Sequence, residues 1–364
     1  MSDNEKSYCE ANAFFAAANS GRGFISFYDK IFGGDNIIRR YLVKGGPGTG
    51  KSTLMRRIAD AAECEKISVE RYRCSSDPSS LDGIILNGCI AIIDATAPHS
   101  IDGELMGARD VLIDLGAFWN SDRLLDSISE IRALSDKKKH SYALAYRFLS
   151  SAMESDIASR ELLIPYVDRK RLARIARRLT RNIGCGAGYE CKIGLSKAIG
   201  MRGRTMLDGY FSVADRVVYI EEHYGIGYLV LCEICEEARN KGCKISVSYD
   251  PLNPDFPDAV FFEESNVLFV VCESRKKGSV SLRRAIDVSK LSKRERNALR
   301  LKSRSARRLS EALVIAAIDE LKKAGDAHFA LEKIYRDNMD FYALDEYTSP
   351  IIEQIIELAK KISL

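Results

Sequence analysis

A glycine-rich segment between a short apolar run and an amphipathic run is the feature that most constrains this chain. Residues 37–43 (IIRRYLV) predict a strand, and Leu54, Met55 and Ile58 recur at helical spacing after the glycines. Residues 45–52 (GGPGTGKS) match the pattern GxxxxGK[ST] in the strand–loop–helix context that the pattern requires. The segment therefore predicts a phosphate-binding loop (P-loop) in an α/β fold.

Each residue type in this segment has a physical reason to be there. Glycines allow backbone conformations that a Cβ would obstruct, so successive N–H groups can surround phosphate oxygens. Lys51 supplies a positive charge to the β- and γ-phosphates, and the hydroxyl of Ser52 can ligate Mg²⁺. The predicted contacts to ATP and Mg²⁺ come from Gly45, Gly46, Pro47, Gly48, Thr49, Gly50, Lys51, Ser52 and Thr53.

A nucleotide site of this kind also needs a carboxylate, which is expected at the end of a neighbouring strand. Residues 89–93 (CIAII) are continuously apolar, which is typical of a central parallel strand. Asp94 follows at the carboxyl end, where ligands of open α/β sheets bind. The sequence thus predicts Ser52 and Asp94 as the two protein groups that hold Mg²⁺.

The residues that would perform chemistry on the nucleotide are less sharply defined. We expect Lys51 and Asp94 to act on the phosphates and the metal ion. The catalytic base stays open among Asp77, Asp82 and His99, each of which is also an ordinary loop residue. No guanine-recognition sequence NKxD is present, so adenine is the expected nucleobase by default.

The chain also shows internal similarity. The tetrapeptide KISV occurs at residues 66–69 and again at 244–247. A shift of about 177 residues places the glycine-rich segment over the sequence HYGIGYL. We therefore expect a duplicated P-loop NTPase fold, each copy a parallel sheet flanked by helices with a helical-hairpin appendage. The predicted domains are residues 1–195, with the intact loop, and residues 196–364, with a degenerate one.

The second copy lacks the chemistry for a triphosphate. In this alignment Lys51, Ser52 and Asp94 are replaced by Tyr228, Leu229 and Cys272. This half is either a structural partner or the donor of an arginine to the first site, from among Arg202, Arg204 and Arg275.

Four cysteines invite comparison with a zinc site. Cys232 and Cys235 form a CxxC pair, and Cys185 and Cys191 lie upstream. In the internal alignment the CxxC pair falls on the apolar face of the equivalent helix. Buried core thiols are therefore the preferred interpretation.

Helical patterns account for much of the remaining chain. They cover residues 112–119, 124–134, 142–153, 172–179, 309–316 and 351–358.

Positive charge is concentrated in two segments. The chain carries a formal net charge of +4, yet residues 275–308 contain fourteen lysines and arginines against Asp287 and Glu295. Residues 169–181 are similarly arginine-rich. Such segments can be solvated helix faces, a lid over phosphates, or a surface for nucleic acid or a protein partner. Because residues 275–308 contain no aromatic side chain, base stacking is not supported.

Composition sets the broad class. The chain has 364 residues, of which 46% are apolar and 29% charged, as in a globular protein. It has no apolar window long enough for a membrane span, and its first residues are polar. We therefore expect a cytoplasmic protein with no membrane partner and with its ten cysteines reduced.

Several phrases resemble a little-characterised bacterial family of tandem P-loop proteins, usually described as ATPases or nucleotide kinases. They are ANSGRGFISFYDKIF, GGPGTGKSTL, CSSDPSSLDG, DATAPH and GAFW, the last at residues 116–119. The resemblance implies the fold and ATP binding, and it names no substrate. Both halves commonly keep a P-loop in that family, and this chain departs from the pattern in its second half.

Three functions are consistent with the sequence. The preferred one is a Mg²⁺-dependent ATPase that uses the first loop. The second is a small-molecule kinase with residues 169–181 as its lid and an acceptor near Asp77, Asp82 and His99. The third is a nucleotide-gated module that binds nucleic acid or protein through residues 275–308.

Overall fold

The structure is a computed structural model, and it describes residues 6–8, 12–98, 101–222, 225–273 and 275–362. The first half of the chain contains, in order, β1 (Lys6–Tyr8), β2 (Ala13–Phe15), β3 (Ala17–Ser20), β4 (Gly23–Ser26), α1 (Tyr28–Phe32), β5 (Arg39–Lys44), α2 (Lys51–Cys64), β6 (Val69–Arg73), β7 (Leu81–Leu86), β8 (Ile90–Asp94), β9 (Asp110–Asp114), α3 (Ser121–Asp126), α4 (Ile128–Glu161) and α5 (Arg169–Leu179).

The second half contains β10 (Glu190–Ile193), β11 (Lys197–Gly200), β12 (Gly203–Leu207), α6 (Gly209–Val213), β13 (Arg216–Glu221), α7 (Gly227–Asn240), β14 (Lys244–Tyr249), β15 (Pro257–Phe262), β16 (Val267–Cys272), α8 (Lys293–Arg336) and α9 (Phe341–Ile362).

The first half is built on a six-stranded mixed sheet in the order β2-β6-β7-β8-β5-β9. Strand β5 pairs in parallel with β8 and β9, whereas β7 is antiparallel to both β6 and β8. The expectation of a parallel sheet is therefore wrong. The turns at residues 74–80 and 87–89 are too short for the crossover that parallel neighbours need, so the chain reverses direction at each of them.

A second mixed sheet has the order β10-β14-β15-β16-β13. Its pairings are parallel, antiparallel, antiparallel and parallel, the same series that runs from β2 to β5 in the first sheet. A parallel bridge between Ile220 and Val280 continues this sheet beyond β13, at the edge where β9 lies beside β5. The chain is thus an α/β protein with two mixed sheets of matching strand order.

The two KISV tetrapeptides are not structural equivalents. Val69 pairs with Leu86 at one end of the β6–β7 hairpin, and Ile245 pairs with Phe262 at the same end of the β14–β15 hairpin. Val69 therefore corresponds to Ile245, two residues before the valine that ends the second tetrapeptide. The KISV match that suggested the repeat therefore does not align equivalent positions. The order of the strands nevertheless repeats in the two sheets.

Apolar side chains form three principal layers around the sheets. Along β5, Tyr41 and Val43 face α2 and α9, whereas Leu42 faces the opposite side. That opposite side packs against the second sheet, with Phe32 of α1 and Phe261 of β15 in the same cluster. The far face of the second sheet is covered by α5 and α7. The two halves therefore share a continuous core.

The long helices connect the halves instead of forming separate appendages. Helix α4 packs along α8, and Ser155 of α4 donates a hydrogen bond to the carbonyl oxygen of Ala306 at 2.8 Å. Helix α9 returns to the first half, where Ile355 and Ile356 join the core beneath α2. The expectation that each half carries its own hairpin is therefore wrong. No helix in the described ranges combines the length and apolar character that crossing a membrane demands.

Two other predicted boundaries differ from the structure. Residues 112–119 do not form a helix, because residues 110–114 form the edge strand β9 on β5 and only 116–118 make a short 3₁₀ turn. Leu112 is exposed and Ile113 buried, which is the alternation of a strand with one covered face.

The predicted domain boundary at residue 195 also differs from the structure. Strand β10 precedes that residue, yet it pairs with β14 of the second sheet.

A buried ion pair joins β5 to β9 at the amino-terminal ends of these two strands, away from the glycine-rich loop. Asp110 is fully buried, and Arg40 donates to its carboxylate through Nε at 2.9 Å and Nη2 at 3.0 Å. Burial raises the pKa of Asp110. Hydrogen bonds from Arg109, from Arg40 and from the backbone amides of Leu105 and Glu104 outweigh that effect and hold the pKa well below its usual range.

The substitution Asp110→Asn should lower the free energy of unfolding by about 3 kcal/mol at pH 7, because the buried guanidinium of Arg40 loses its hydrogen-bonded carboxylate and keeps the exposed Glu104 at 3.9 Å. The folded pKa lies below the unfolded one, so the carboxylate contribution is present at neutral pH and is lost as the pH falls below about 4. The difference between wild type and variant, measured by urea unfolding, should therefore shrink at pH 3.

Asp102→Asn is the matched control, since its side chain is 97% exposed and pairs with Lys44 at the surface. It should change stability by less than about 0.5 kcal/mol. A gap between wild type and Asp110→Asn that stays constant from pH 7 to pH 3 would contradict this account.

Candidate functional site

The glycine-rich loop lies at the carboxyl edge of the first sheet, between β5 and α2. Gly48 and Gly50 have φ angles of 70° and 88°, in the left-handed region where a side chain is strained. Gly50 directly precedes α2, so the loop amides approach the positive end of that helix. The sequence prediction of strand, loop and helix is confirmed at this position.

Lys51 and Asp94 meet at this edge. Parallel pairing sets Val43 opposite Asp94, so the end of β8 lies beside the start of the loop. The Nζ atom of Lys51 is 3.7 Å from Oδ2 of Asp94 and donates hydrogen bonds to the carbonyl oxygens of Gly45 and Gly46, both at 2.8 Å. The structure thus brings together the predicted cation and the predicted carboxylate.

Asp94 occupies an environment that disfavours its own charge. Burial raises its pKa, and the ammonium group of Lys51 and hydrogen bonds from Thr96 oppose that rise. Oδ1 accepts from the backbone amide of Thr96 at 2.9 Å and from its hydroxyl group. Oδ2 is the oxygen nearer Lys51. A half-buried carboxylate held beside a lysine is suited to a cationic ligand.

Ser52 ties the first turn of α2 to the neighbouring hairpin. Its hydroxyl oxygen accepts a hydrogen bond from the backbone amide of Leu81 at 3.0 Å. A hydroxyl oxygen has two lone pairs, so this bond leaves one for a metal ion. Thr49 donates to the carbonyl oxygen of Gly46 at 3.0 Å, and Thr53 lines a cavity of about 400 Å³ between α2 and α9.

The candidate bases have different surroundings. Asp77 accepts from the hydroxyl group of Ser79 and pairs with Nη2 of Arg202 at 3.0 Å. Asp82 is buried, and its charge contributes to the raised pKa of Asp94. His99 lies outside the described residues. The structure therefore relates Asp82 electrostatically to the site and places Asp77 in an ion pair between the halves.

Only one of the three candidate arginines is shown to contact the first half. Arg202 reaches the loop after β6 from the turn between β11 and β12. Arg204 pairs with Glu311 at 2.7 Å, and Arg275 pairs with Glu221 at 3.4 Å. The carboxylates that pair with Arg204 and Arg275 thus lie in the same half as these arginines.

Two contacts to the loop were not expected from the sequence. A Cβ built on Gly46 would lie 2.9 Å from the ring of Trp119, and one built on Gly48 would lie 2.5 Å from the carbonyl oxygen of Glu332 in α8. The rings of Trp119 and Tyr335 are 5.3 Å apart. A hydrogen bond from a histidine one turn earlier lowers the pKa of Glu332, whose charge also interacts with Lys51. The end of α8 therefore packs against the loop.

The corresponding loop of the second half contains its own anion. Residues 222–226 connect β13 to α7, and Glu222 accepts a hydrogen bond from the backbone amide of Gly227 at 3.4 Å. Burial raises the pKa of Glu222, and the charge of Arg160 opposes the rise. Arg160 comes from α4 and donates to the carbonyl oxygen of Gly225 at 2.6 Å.

Aromatic rings complete this arrangement. Arg160 lies over the rings of Tyr228 and Phe256, with its guanidinium carbon 5.6 Å and 5.0 Å from the two centroids. The rings themselves stack at 4.1 Å. A guanidinium group and two aromatic rings therefore lie beside the second loop, with Glu222 hydrogen-bonded to its amides.

The helix positions of the second half differ slightly from the sequence alignment. The loop is one residue shorter, so Gly227 begins α7 where Lys51 begins α2, and Tyr228 corresponds to Ser52. Val271 pairs with β13 as Asp94 pairs with β5, and it takes the place expected for Cys272. With these corrected equivalences, Gly227, Tyr228 and Val271 stand where the first half has Lys51, Ser52 and Asp94. The second half therefore lacks the lysine, the serine hydroxyl group and the carboxylate, as expected.

The same one-residue shift changes the interpretation of the cysteines. Leu231 and Ile234 are buried in the positions of Met55 and Ile58, whereas Cys232 is exposed. Cys232 is therefore not a core thiol, and its CxxC partner is half-buried. Among the described residues, no group of three or more histidines, cysteines, aspartates or glutamates is arranged to hold a metal ion.

The arginine-rich helix α5 does not lie over the first loop. Leu172 and Ala176 are buried against α7 and the second sheet. This placement gives no support to the expected lid role of residues 169–181.

Comparison with known proteins finds no relative of this chain. No family model matches it, and no curated protein or solved structure matches it.

Arg160→Ala should destabilise the protein by about 2 to 4 kcal/mol, because it removes the cation beside the half-buried carboxylate of Glu222 and a ring-stacking partner. Urea unfolding at pH 7 measures the change. Arg174→Ala is the matched control, since that side chain is exposed and donates to a carbonyl oxygen of its own helix. Equal destabilisation by the two variants would show that the second loop does not depend on Arg160.

Proposed function

We propose that the chain consists of two P-loop NTPase units and that the first binds ATP with Mg²⁺. The matching strand orders of the two sheets support the duplication. The resemblance to tandem P-loop proteins agrees with both parts of this proposal. The observation that carries the nucleotide site is the meeting of Lys51 with Asp94, 3.7 Å apart, at the end of a glycine-rich loop.

The residues of the first loop fit this ligand chemically. Loop amides and Lys51 would bind phosphate oxygens, with the ammonium group exchanging its carbonyl contacts for phosphate contacts. Ser52 and Asp94 would hold Mg²⁺, which screens the phosphate charge. Because burial disfavours the charged form of Asp94, a bound cation would relieve an existing electrostatic cost.

The proposed reaction is slow hydrolysis of ATP in the absence of an added acceptor. Asp82 is the base candidate favoured by the structure, because its charge acts on Asp94. Asp77 is less suited to accept a proton because its carboxylate already pairs with Arg202. The kinase alternative loses its expected lid, since α5 packs on the second half.

Lys51→Ala should abolish stabilisation of the protein by MgATP, because the variant lacks the cation that faces the phosphates. At an ATP concentration 100 times the dissociation constant, the wild type should gain about 2.7 kcal/mol. Thermal unfolding measures this gain. The single tryptophan, Trp119, packs on the loop, so its fluorescence gives a second readout.

Tyr228→Phe is the matched control in the second loop, where it removes a hydroxyl group and keeps the ring. Its response to MgATP should equal that of the wild type. Loss of the response in both variants would contradict the assignment of binding to the first loop. The absence of any wild-type response, in unfolding and in fluorescence, would overturn the proposed function.

Asp94→Asn should separate metal binding from folding. The amide keeps the shape and removes a charge that burial disfavours, so the ligand-free stability should change by less than about 1 kcal/mol. Affinity for ATP in the presence of Mg²⁺ should fall at least about tenfold, or ~1.4 kcal/mol. Titrations with and without Mg²⁺ test this. An unchanged Mg²⁺ dependence in the variant would exclude Asp94 as a metal-holding group.

A further inference from the structure

Two arginine-rich segments that are more than a hundred residues apart in sequence lie side by side in the structure. The backbone amide of Asp168 donates to the carbonyl oxygen of Ala285 at 2.8 Å, and Arg171 of α5 donates to that of Arg284 at 2.8 Å. Leu172 of α5 and Leu282 belong to one buried cluster. The two segments therefore form one surface, supported from below by the second core.

The cations of this surface point to solvent. The basic face is defined by the exposed side chains of Arg169, Lys170, Arg171, Arg174, Arg177, Arg178, Arg181, Arg283, Arg284, Lys290, Lys293 and Arg294. Within the described residues, one of these cations has a carboxylate within ion-pairing distance, which is Arg177 beside Glu237 at 4.0 Å. Within the described part of the chain, the basic face therefore carries a large excess of positive charge.

The neighbouring carboxylates have local roles. Asp168 accepts from the backbone amide of Arg171 and caps α5, and Asp287 accepts from the amide of Ser289. Glu295 closes a capping box with Ser292 at the start of α8. These carboxylates satisfy backbone amides at helix starts and turns, and in the ranges that the structure describes they form no ion pairs with the basic face.

The arrangement favours a nucleic-acid backbone over a lipid surface. A basic helix binds a bilayer by inserting its apolar face, and the apolar face of α5 is already buried at Leu172 and Ala176. The face contains no aromatic side chain on which an unpaired base could stack. Its cations are mostly arginines, whose planar guanidinium groups bind phosphate through paired hydrogen bonds.

The spacing on α5 suits a regular polyanion. Lys170, Arg174 and Arg177 recur at four- and three-residue steps on α5 and form a row about 10 Å long, and Arg181 follows beyond the end of the helix. Along a duplex, one strand presents a phosphate every ~3.4 Å of axis, so such a row spans about three phosphates. We propose that the basic face binds the phosphate backbone of double-stranded nucleic acid without reading its sequence.

The test is a titration of the full chain against a fluorescently labelled 30-base-pair DNA duplex of arbitrary sequence, in EDTA and without ATP. With about three phosphates neutralised by this row, the logarithm of the binding constant should fall with the logarithm of the salt concentration with a slope of roughly −2.7. Affinity should then drop about 40-fold between 50 and 200 mM salt. Because nucleotide is absent, the outcome is independent of the proposed function of the first loop.

The triple variant Lys170→Ala/Arg174→Ala/Arg177→Ala removes the row and should therefore remove most of this salt dependence, about 2.7 in slope, and weaken binding at 50 mM salt at least about tenfold. The control Arg132→Ala/Lys137→Ala/Arg147→Ala removes three exposed cations from α4 and should bind as the wild type does. Circular dichroism and urea unfolding verify that both variants are folded.

Several results would overturn the proposal. They are the absence of duplex binding at 50 mM salt, equal losses in the two triple variants, and tighter binding of a single strand than of the duplex. Vesicles containing phosphatidylserine should not bind. If they bind through the same arginines while the duplex does not, the surface serves membranes instead.

Discussion

Parallel pairing of β5 with β8 is the constraint on which the candidate site depends. The register that sets Val43 opposite Asp94 brings the glycine-rich loop and the carboxylate to one edge of the sheet. Strands β6, β7 and β8 form a meander joined by short turns, so β8 is left as the free edge that β5 can join. A slip of one residue would turn Asp94 to the opposite face of the sheet, away from Lys51.

The same pairing recurs between β13 and β16 with a different electrostatic outcome. There the backbone amide at the start of α7 meets Glu222, a carboxylate of the chain itself, and the compensating cation is Arg160 of α4. The first loop carries its own cation, Lys51, beside the half-buried Asp94, whereas the second loop carries an anion and takes its cation from another helix. The second loop consequently serves as a joint between the halves, because its cation belongs to the long helix of the first half.

Local sequence patterns predicted the arrangement of the candidate site well, because its parts are contiguous in sequence or lie at the end of a strand. The loop, α2 and the position of Asp94 follow from glycine spacing and hydrophobic period. Contacts made by distant segments were not predictable in this way. Trp119 and Glu332 reach the loop through the packing of α8, and no local pattern encodes that packing. The antiparallel β7 was missed because its run LDGIIL, buried throughout, lacks the alternation that marks a strand.

Helix α8 begins in the basic segment and ends against the glycine-rich loop. Its 44 residues form one continuous helix, about 66 Å from end to end, braced along its length by α4. A Cβ on Gly48 would lie 2.5 Å from the carbonyl oxygen of Glu332, so the loop has no room for a larger residue there while this helix is in place. The glycine-rich loop and the basic segment are therefore joined by one unbroken helix, and the chain makes no turn between them.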